Sequence, residues 1–374
     1  MEKYKIAHLT SVHPPFDSRI FHKECKTLAK AGYEVVLIAP HDQDETVDDV
    51  KIRAISKPKR RRERMTRTAW HVYRTASQEH ADLYHFHDPE LIPVGVLLKI
   101  QGKKVIYDVH EDVPRQILTK HWIPHLLRKL VAQIAELMEL VGTRPFNGIT
   151  AATPTIAERF PPEKTVIVQN FPILNELTPA KLLKHTDKQN SPCIVYVGGL
   201  SITRGIKEMV QAMALLPESR RARLALAGTF QPPELEVELQ QMPGWERMQF
   251  VGWQDRQGVA QLLSKAQIGL VMLHPIINYL DSYPVKLFEY MAAGLPVIAS
   301  NFPLWKEIVE GNKCGLTVDP LNPEEIAQAI EYLLDHPKEC QTMGENGRRA
   351  VTEKYNWEKE SEKLLALYER ILKR

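Results

Sequence analysis

Apolar residues in this 374-residue chain fall in short dense blocks, and amphipathic stretches lie between the blocks. Such blocks read as strands covered on both faces of a parallel sheet. In the first half, Lys5 to Ser11, Glu34 to Ala39, Leu83 to Phe86, Lys104 to Asp108, Gly148 to Thr153 and Thr165 to Val168 have this character. Phe21, Cys25 and Leu28 share one face of a helix between the first two strands, and Gly32 closes that helix. Residues 174 to 191 are polar, with little periodicity, and read as a linker. The pattern then restarts at Cys193 to Val197 and continues through Leu224 to Ala227, Met248 to Val251, Ile268 to Leu273 and Gly315 to Val318. Helices are predicted after Gly205, up to about Ser264, over Pro303 to Glu310, over Pro323 to Leu334 and over Trp357 to Leu372. The chain therefore predicts two α/β domains in tandem. The first spans residues 1–173 plus about 355–374, the linker 174–191, and the second 192–354.

Two helices have more to say. In Asp281 to Gly294, residues Val285, Leu287, Phe288, Met291 and Ala292 share the face expected to be buried. Lys286, Tyr290 and Ala293 lie opposite, and Glu289 sits at the border. Asp281 or Ser282 is expected to cap the start, Gly294 ends the helix, and Pro296 to Ser300 follows as a strand. The second helix starts at Pro124. Its stripe of Leu127, Leu130, Val131, Ile134, Leu137, Met138 and Val141 is expected to face the core, as most such stripes do. Trp122, Arg128 and Lys129 at its front also suit an interfacial anchor.

Composition narrows the setting. Hydrophobic and charged contents of 44% and 25% fit a globular protein. No apolar run reaches the ~18 residues of a membrane span. The N-terminus leads straight into a strand without a signal-peptide core. Cys25, Cys193, Cys314 and Cys340 are scattered and form no CxxC pair, which points to a reducing compartment. A cytoplasmic protein is expected. A net charge of +3 is too mild to imply nucleic acid. The basic tract Lys57 to Arg67 reads as a solvated loop or as a patch for an anionic membrane surface. It has no aromatic platform for nucleic acid.

Candidate chemistry gathers at strand ends, where open α/β sheets bind ligands. The Thr10 to Arg19 loop offers His13, Asp17 and Arg19, and lacks the GxGxxG of a dinucleotide site. Two neighbouring strand ends deliver His87-Asp88 and His110 beside carboxylates. His85-x-His87-Asp88 invites a metal reading, but no completing ligand set is evident in the sequence, so no metal is expected. Gly198-Gly199, with Arg204 before the next helix, outlines an anion site: glycines admit backbone N–H groups, and the arginine adds positive potential.

These motifs resemble the retaining glycosyltransferases of family 4, with the GT-B fold. The likeness is carried by Gly198 to Gly205, Phe250-Val251-Gly252, the Asp281 to Ser300 block, Cys314 to Pro320, Tyr355-Asn356-Trp357 and Tyr107 to Glu111. It implies two Rossmann-like domains facing across a cleft, with the C-terminal helix returning to the first. It implies a nucleoside-diphosphate-sugar donor, a glycan or lipid-linked sugar acceptor, and transfer with retention, as in envelope or exopolysaccharide synthesis. By the same likeness, Glu289 would bind the ribose hydroxyls, Arg204 the diphosphate, and Gly252, Trp253 and Gln254 the base. Asp281, one methylene shorter than the family's usual Glu, and His110 would meet the transferred sugar. Gly199 stands where many members place a phosphate-binding arginine, and Lys286 or Arg19 would compensate. No cofactor is implied. A sugar-nucleotide epimerase and a noncatalytic sugar-nucleotide-binding module are the alternative readings.

Overall fold

The computed structural model describes residues 3–58, 60–120, 123–176 and 193–373. Trp122, Lys59 and most of the expected linker (177–191) lie outside the described residues, as does the Arg61 side chain. The chain forms two compact units, residues 1–170 with 357–374, and residues 171–356.

The first unit runs β1 (Lys5–Leu9), α1 (Lys26–Lys30, entered through a wide helical turn over Ile20–Cys25), β2 (Glu34–Pro40), β3 (Glu45–Val47), β4 (Val50–Ile55), α2 (Ala69–Glu79), β5 (Leu83–Phe86), α3 (Ile92–Ile100), β6 (Lys104–Val109), α4 (Val113–Thr119), α5 (His125–Gly142), β7 (Gly148–Ala151) and β8 (Thr165–Ile167). The sheet order is β3-β4-β2-β1-β5-β6-β7-β8. Every pair is parallel except β3 with β4. The β3–β4 ribbon was not legible in the sequence, because Val50–Ile55 alternates with charged Lys51 and Arg53 at the sheet's end. Register places His8 beside His85 and Phe86 beside Tyr107, so the carboxyl ends of β1, β5 and β6 meet at one rim.

In α5 the expected apolar stripe faces outward. Leu127, Leu130, Val131, Ile134, Leu137, Met138 and Val141 are exposed, whereas Ala132 and Glu139 are buried. The cause lies in Glu139, whose carboxylate accepts from Tyr107 Oη at 2.8 Å and pairs with Arg159. A buried carboxylate needs such partners, and they fix the helix with its polar side inward.

The second unit runs β9 (Cys193–Val197), α6 (Ile206–Leu215), β10 (Arg223–Ala227), β11 (Met248–Gly252), α7 (Arg256–Lys265), β12 (Ile268–Val271), α8 (Val285–Ala293), β13 (Val297–Ser300), β14 (Gly315–Val318), α9 (Pro323–Asp335) and α10 (Pro337–Glu353). All six strands are parallel, in the order β11-β10-β9-β12-β13-β14. Alternate strand residues feed two cores: Ile194 and Tyr196 pack with α6 and α9, and Val195 packs with α8. Tyr290 of α8 is buried, against the expectation from its helical face, because Val197 N–H donates to its hydroxyl at 2.8 Å.

The last helix, α11 (Trp357–Leu372), belongs to the first unit. Trp357 Nε1 donates to Thr27 Oγ1 at 2.9 Å, and Tyr368 lies buried against His85, with Oη 2.7 Å from Nδ1.

Candidate active site

In the second unit the chain leaves β9 through Gly198, whose φ of +133° is a conformation side-chain-bearing residues rarely adopt. A Cβ there would stand 2.8 Å from Lys286 Nζ and 3.4 Å from Arg204 Nη1. Both cations therefore lie against this turn. Arg204 sits in the single 3₁₀ turn Ile202–Arg204, and Gly205, at φ +72°, links that turn to the N-terminus of α6. A Cβ on Gly205 would meet the Met272 carbonyl at 2.0 Å, so the bend needs glycine.

Lys286 is the unusual member. Helical position puts it opposite the apolar face of α8, but its stem folds over the Tyr196 ring, with Nζ 3.8 Å from the centroid. The ammonium is enclosed and has no hydrogen-bond partner among the described residues. Desolvation, then Arg204, push its pKa well below the ordinary lysine value, and Glu289 offsets part of this. An enclosed cation left unpaired costs free energy unless an anion joins it.

Glu289, one turn further along α8, is largely buried and has Arg256 Nη1 3.8 Å from its carboxylate; Arg256 also pairs with Glu176. Gly252, Trp253 and Gln254 leave the end of β11. Gly252 takes φ +69°, the Trp253 ring is exposed, and Gln254 Nε2 donates to Val251 O at 2.7 Å. Asp255 caps α7 by accepting from Gly258 N–H at 2.7 Å. Asp281 does not cap α8, because Pro284 occupies that position. Asp281 is exposed and closes the short helix Ile277–Leu280.

In the first unit Asp108, at the end of β6, is a fully buried hub. Its carboxylate accepts from Arg19 Nε at 2.9 Å and Nη2 at 2.7 Å, from Thr150 Oγ1 at 2.8 Å, and from the Nδ1 atoms of His87 and His110, each at 3.1 Å. Against desolvation, Arg19 and these donors hold its pKa well below the usual carboxylate range. Arg19 also donates to Val168 O at 2.9 Å and lies 3.1 Å from Glu24 Oε1. Its guanidinium is thus spent inside this unit, which argues against the expected compensating role at a phosphate.

Accepting by Asp108 at Nδ1 leaves the Nε2 of His110 to face His13 Nε2, 3.1 Å away. His13 also has Asp88 Oδ1 at 3.4 Å and Asp17 Oδ2 at 3.6 Å. Desolvation opposes its charge, but Asp17, Asp88 and Glu111 together raise its pKa. Asp88 is anchored by Thr10 Oγ1 at 2.8 Å and Ser11 N–H at 2.6 Å. Against desolvation, His13 and then the N–H groups of Ile20 and Arg19, from which Asp17 accepts, hold the Asp17 pKa low. Three of the sequence-predicted residues, His13, Asp17 and His110, therefore form one half-open patch, with Asp88, His87 and Arg19 buried behind it.

Two groups of this unit have donor sets a metal could use: His8, Glu24, His85 and His87, and His87, Asp108 and His110. Within the folded chain the ring nitrogens of the first group are engaged. His8 Nδ1 meets His87 Nε2 at 2.9 Å, His85 Nε2 meets Thr150 Oγ1 at 3.3 Å, and Tyr368 Oη lies 2.7 Å from His85 and 3.2 Å from His8. Burial, then neighbouring imidazoles, keep His8 and His85 pKa values well below the ordinary value.

Several residues escaped the sequence reading. Tyr196 lies inside an apolar strand run and gave no signal. Arg256 carries one only through its spacing after Gly252. His274 Nε2, 3.2 Å from Glu208 Oε1, lies just past the strand expected over Ile268 to Leu273, a position that could have flagged it.

Comparisons with known proteins fit this geometry. Residues 18–170 match the family model described as Glycosyltransferase Family 4, and residues 180–350 match that described as Glycosyl transferases group 1. An MMP alpha-(1->4)-mannosyltransferase of Mycolicibacterium hassiacum is 26% identical over 174 residues, 46% of this chain and 41% of that protein. An alpha-D-kanosaminyltransferase of Streptomyces kanamyceticus is 23% identical over 194 residues, 51% of this chain and 49% of that one. The chain thus spans about half or less of the curated relatives it matches. Sucrose-phosphate synthase from Thermosynechococcus elongatus superposes with a TM-score of 0.80 at 21% identity, covering 99% of both chains. Anabaena HepE, solved in complex with UDP-glucose, gives 0.75 at 15% identity, covering 98% of this chain and 99% of that one. With two parallel-sheet α/β units on this common architecture, the chain has the GT-B fold, and its two halves are each similar to a glycosyltransferase family model, in order.

Proposed function

We propose that the protein transfers a hexose from a nucleoside-diphosphate sugar to a hydroxyl of a glycan or lipid-linked sugar, with retention at the anomeric carbon. The carrying observation is the enclosed, unpartnered Lys286 ammonium at the Gly198 turn. A diphosphate is the anion that turn suits, because Arg204 and Lys286 converge on it beside the N-terminus of α6. The hard step is departure of the diphosphate as negative charge grows on it. Fixed cations and dipoles aimed at that charge lower the barrier most. On this reading the two side-chain cations supply the charge, so the step is proposed to proceed without a metal.

Glu289 is assigned the ribose hydroxyls and the Gly252 to Gln254 loop the base. His110 Nε2 is assigned a contact with the sugar; Asp108 fixes its tautomer. Asp281, exposed at the end of the short helix Ile277–Leu280, is assigned a sugar hydroxyl. The leaving phosphate takes the acceptor's proton, so no side-chain base is required. The UDP-glucose bound in the HepE structure supports a sugar-nucleotide donor of this kind. We place the activity in bacterial envelope or exopolysaccharide synthesis, in the cytoplasm at the inner face of the membrane.

The test is product analysis with donor panels and hydroxyl acceptors. Proton NMR of the product should show the donor's anomeric configuration. An inverted product would refute retention. Donor conversion without acceptor would refute the transferase.

A further inference from the structure

The α5 helix poses a question that the proposed chemistry does not answer. Eighteen residues form an amphipathic helix whose apolar side faces solvent. Leu126 is 91% exposed, Met138 65% and Leu137 61%. A contiguous apolar face of this kind normally marks an interaction site. It continues onto α3, where Ile92, Val96 and Leu97 join Leu137, Met138 and Val141 in an open apolar groove of about 650 Å³. Neighbouring α2 adds exposed Trp70. These three helices pack side by side on one core over one face of the sheet, so their outer surfaces form one layer.

Charge identifies the occupant. At 100° per residue the stripe of α5 is centred on Leu130, Ile134 and Val141, and its two acidic residues, Glu136 and Glu139, fall on the other side. Exposed Arg144 lies just past its C-terminal end, whereas Arg128 and Lys129 fall with the acidic residues on the other side of the helix. The tract before α2 carries seven basic residues and one acidic residue over positions 57–67, with Arg60, Arg62 and Arg67 exposed. An apolar stripe without acidic groups, on a unit that also exposes Arg144, Arg60, Arg62 and Arg67, matches the boundary between headgroups and acyl chains of an anionic bilayer.

We propose that this layer of the first unit docks onto an anionic phospholipid bilayer, α5 laying its outward stripe into the interface while Arg60, Arg62 and Arg67 engage the headgroups. The inference deepens the membrane placement above, but it does not rest on the transferase reading, since binding is measured without donor or acceptor. The test is flotation of the full chain with vesicles of phosphatidylcholine alone or mixed with phosphatidylglycerol. Mixed vesicles should bind at least about tenfold more tightly, and added salt should weaken them. The double substitution Leu130→Asp with Ile134→Asp should reduce binding by about tenfold or more. Both positions are exposed, so the melting temperature should stay unchanged, which separates lost docking from lost folding. Replacing Arg60, Arg62 and Arg67 with Glu should abolish the preference for phosphatidylglycerol. No binding to either vesicle overturns the proposal. So does binding that survives the stripe substitutions, or a dimer in sedimentation analysis that those substitutions split without any vesicle binding, because the face would then belong to a second copy of the chain.

Discussion

Replacing Lys286 with Met separates a binding cation from a structural one. Methionine keeps the stem's length and its packing over Tyr196 while deleting the charge. The enclosed ammonium has no hydrogen-bond partner among the described residues and sits beside Arg204. An unsatisfied buried polar group costs ~1–3 kcal/mol, more if charged. Lys286→Met should therefore stabilise the free protein by about 1–2 kcal/mol. For a unit of this size that raises Tm by roughly 2–8 °C. Donor binding should change in the opposite sense. A charge-assisted hydrogen bond contributes ~1.5–3 kcal/mol, so the dissociation constant for a nucleoside-diphosphate sugar should rise about 10- to 150-fold.

A pH signature accompanies the substitution. The folded-state pKa of Lys286 lies below its ordinary 10.5, so the unfolded chain binds more protons between those two values. Stability of the wild type should rise with pH through that window, and Lys286→Met should remove this contribution. Differential scanning calorimetry across pH, with calorimetric titration of the donor, reads both effects. A variant that melts lower and binds donor unchanged would refute the reasoning.

Other substitutions divide the site in the same way. Glu289→Gln should weaken donor binding by about tenfold while changing Tm little, measured by titration, because Arg256 keeps its pairing with Glu176. Asp108→Asn should cost roughly 3–5 kcal/mol by stranding buried Arg19 and should lower Tm steeply. His110→Gln, at the half-open patch, should leave Tm nearly unchanged and abolish transfer in a product assay. His13 has a raised folded-state pKa, so its contribution to stability is fully present below the ordinary 6.5 and is lost as pH rises through the folded value. His13→Gln should flatten the melting profile over that window.

The two α/β units were legible because buried parallel strands leave dense apolar blocks, whatever the rest of the fold does. The Gly198 turn was legible for a similar reason, its geometry being local to one turn, whereas helical position left Glu289 at the border of its face and only the family resemblance gave it a role. Lys286 was placed on the solvent side of α8 because a helical wheel sees Cα directions and not a long stem bending over Tyr196, nearly a hundred residues away in sequence. The orientation of α5 was lost for a related reason. Amphipathicity shows that a helix has two sides, but Tyr107 and Arg159 decide which one faces the protein. The buried grouping of His8, Glu24 and His85 was illegible as well, since it arises from strand register and the return of Tyr368 on α11. The resemblance makes Arg19 a candidate to compensate for the arginine that Gly199 replaces. Asp108, from another strand, claims it instead.

The central claim is that the second unit binds a nucleoside-diphosphate sugar through the Gly198 turn, Arg204, Lys286 and Glu289. The most direct measurement is a thermal-shift panel of UDP-, GDP- and ADP-sugars on the wild type and on Glu289→Ala. At 100 times its dissociation constant the correct donor should stabilise the wild type by about 2.7 kcal/mol and the variant by much less. If no sugar nucleotide moves the wild-type melt, or if Glu289→Ala responds as the wild type does, the assignment of this site is contradicted.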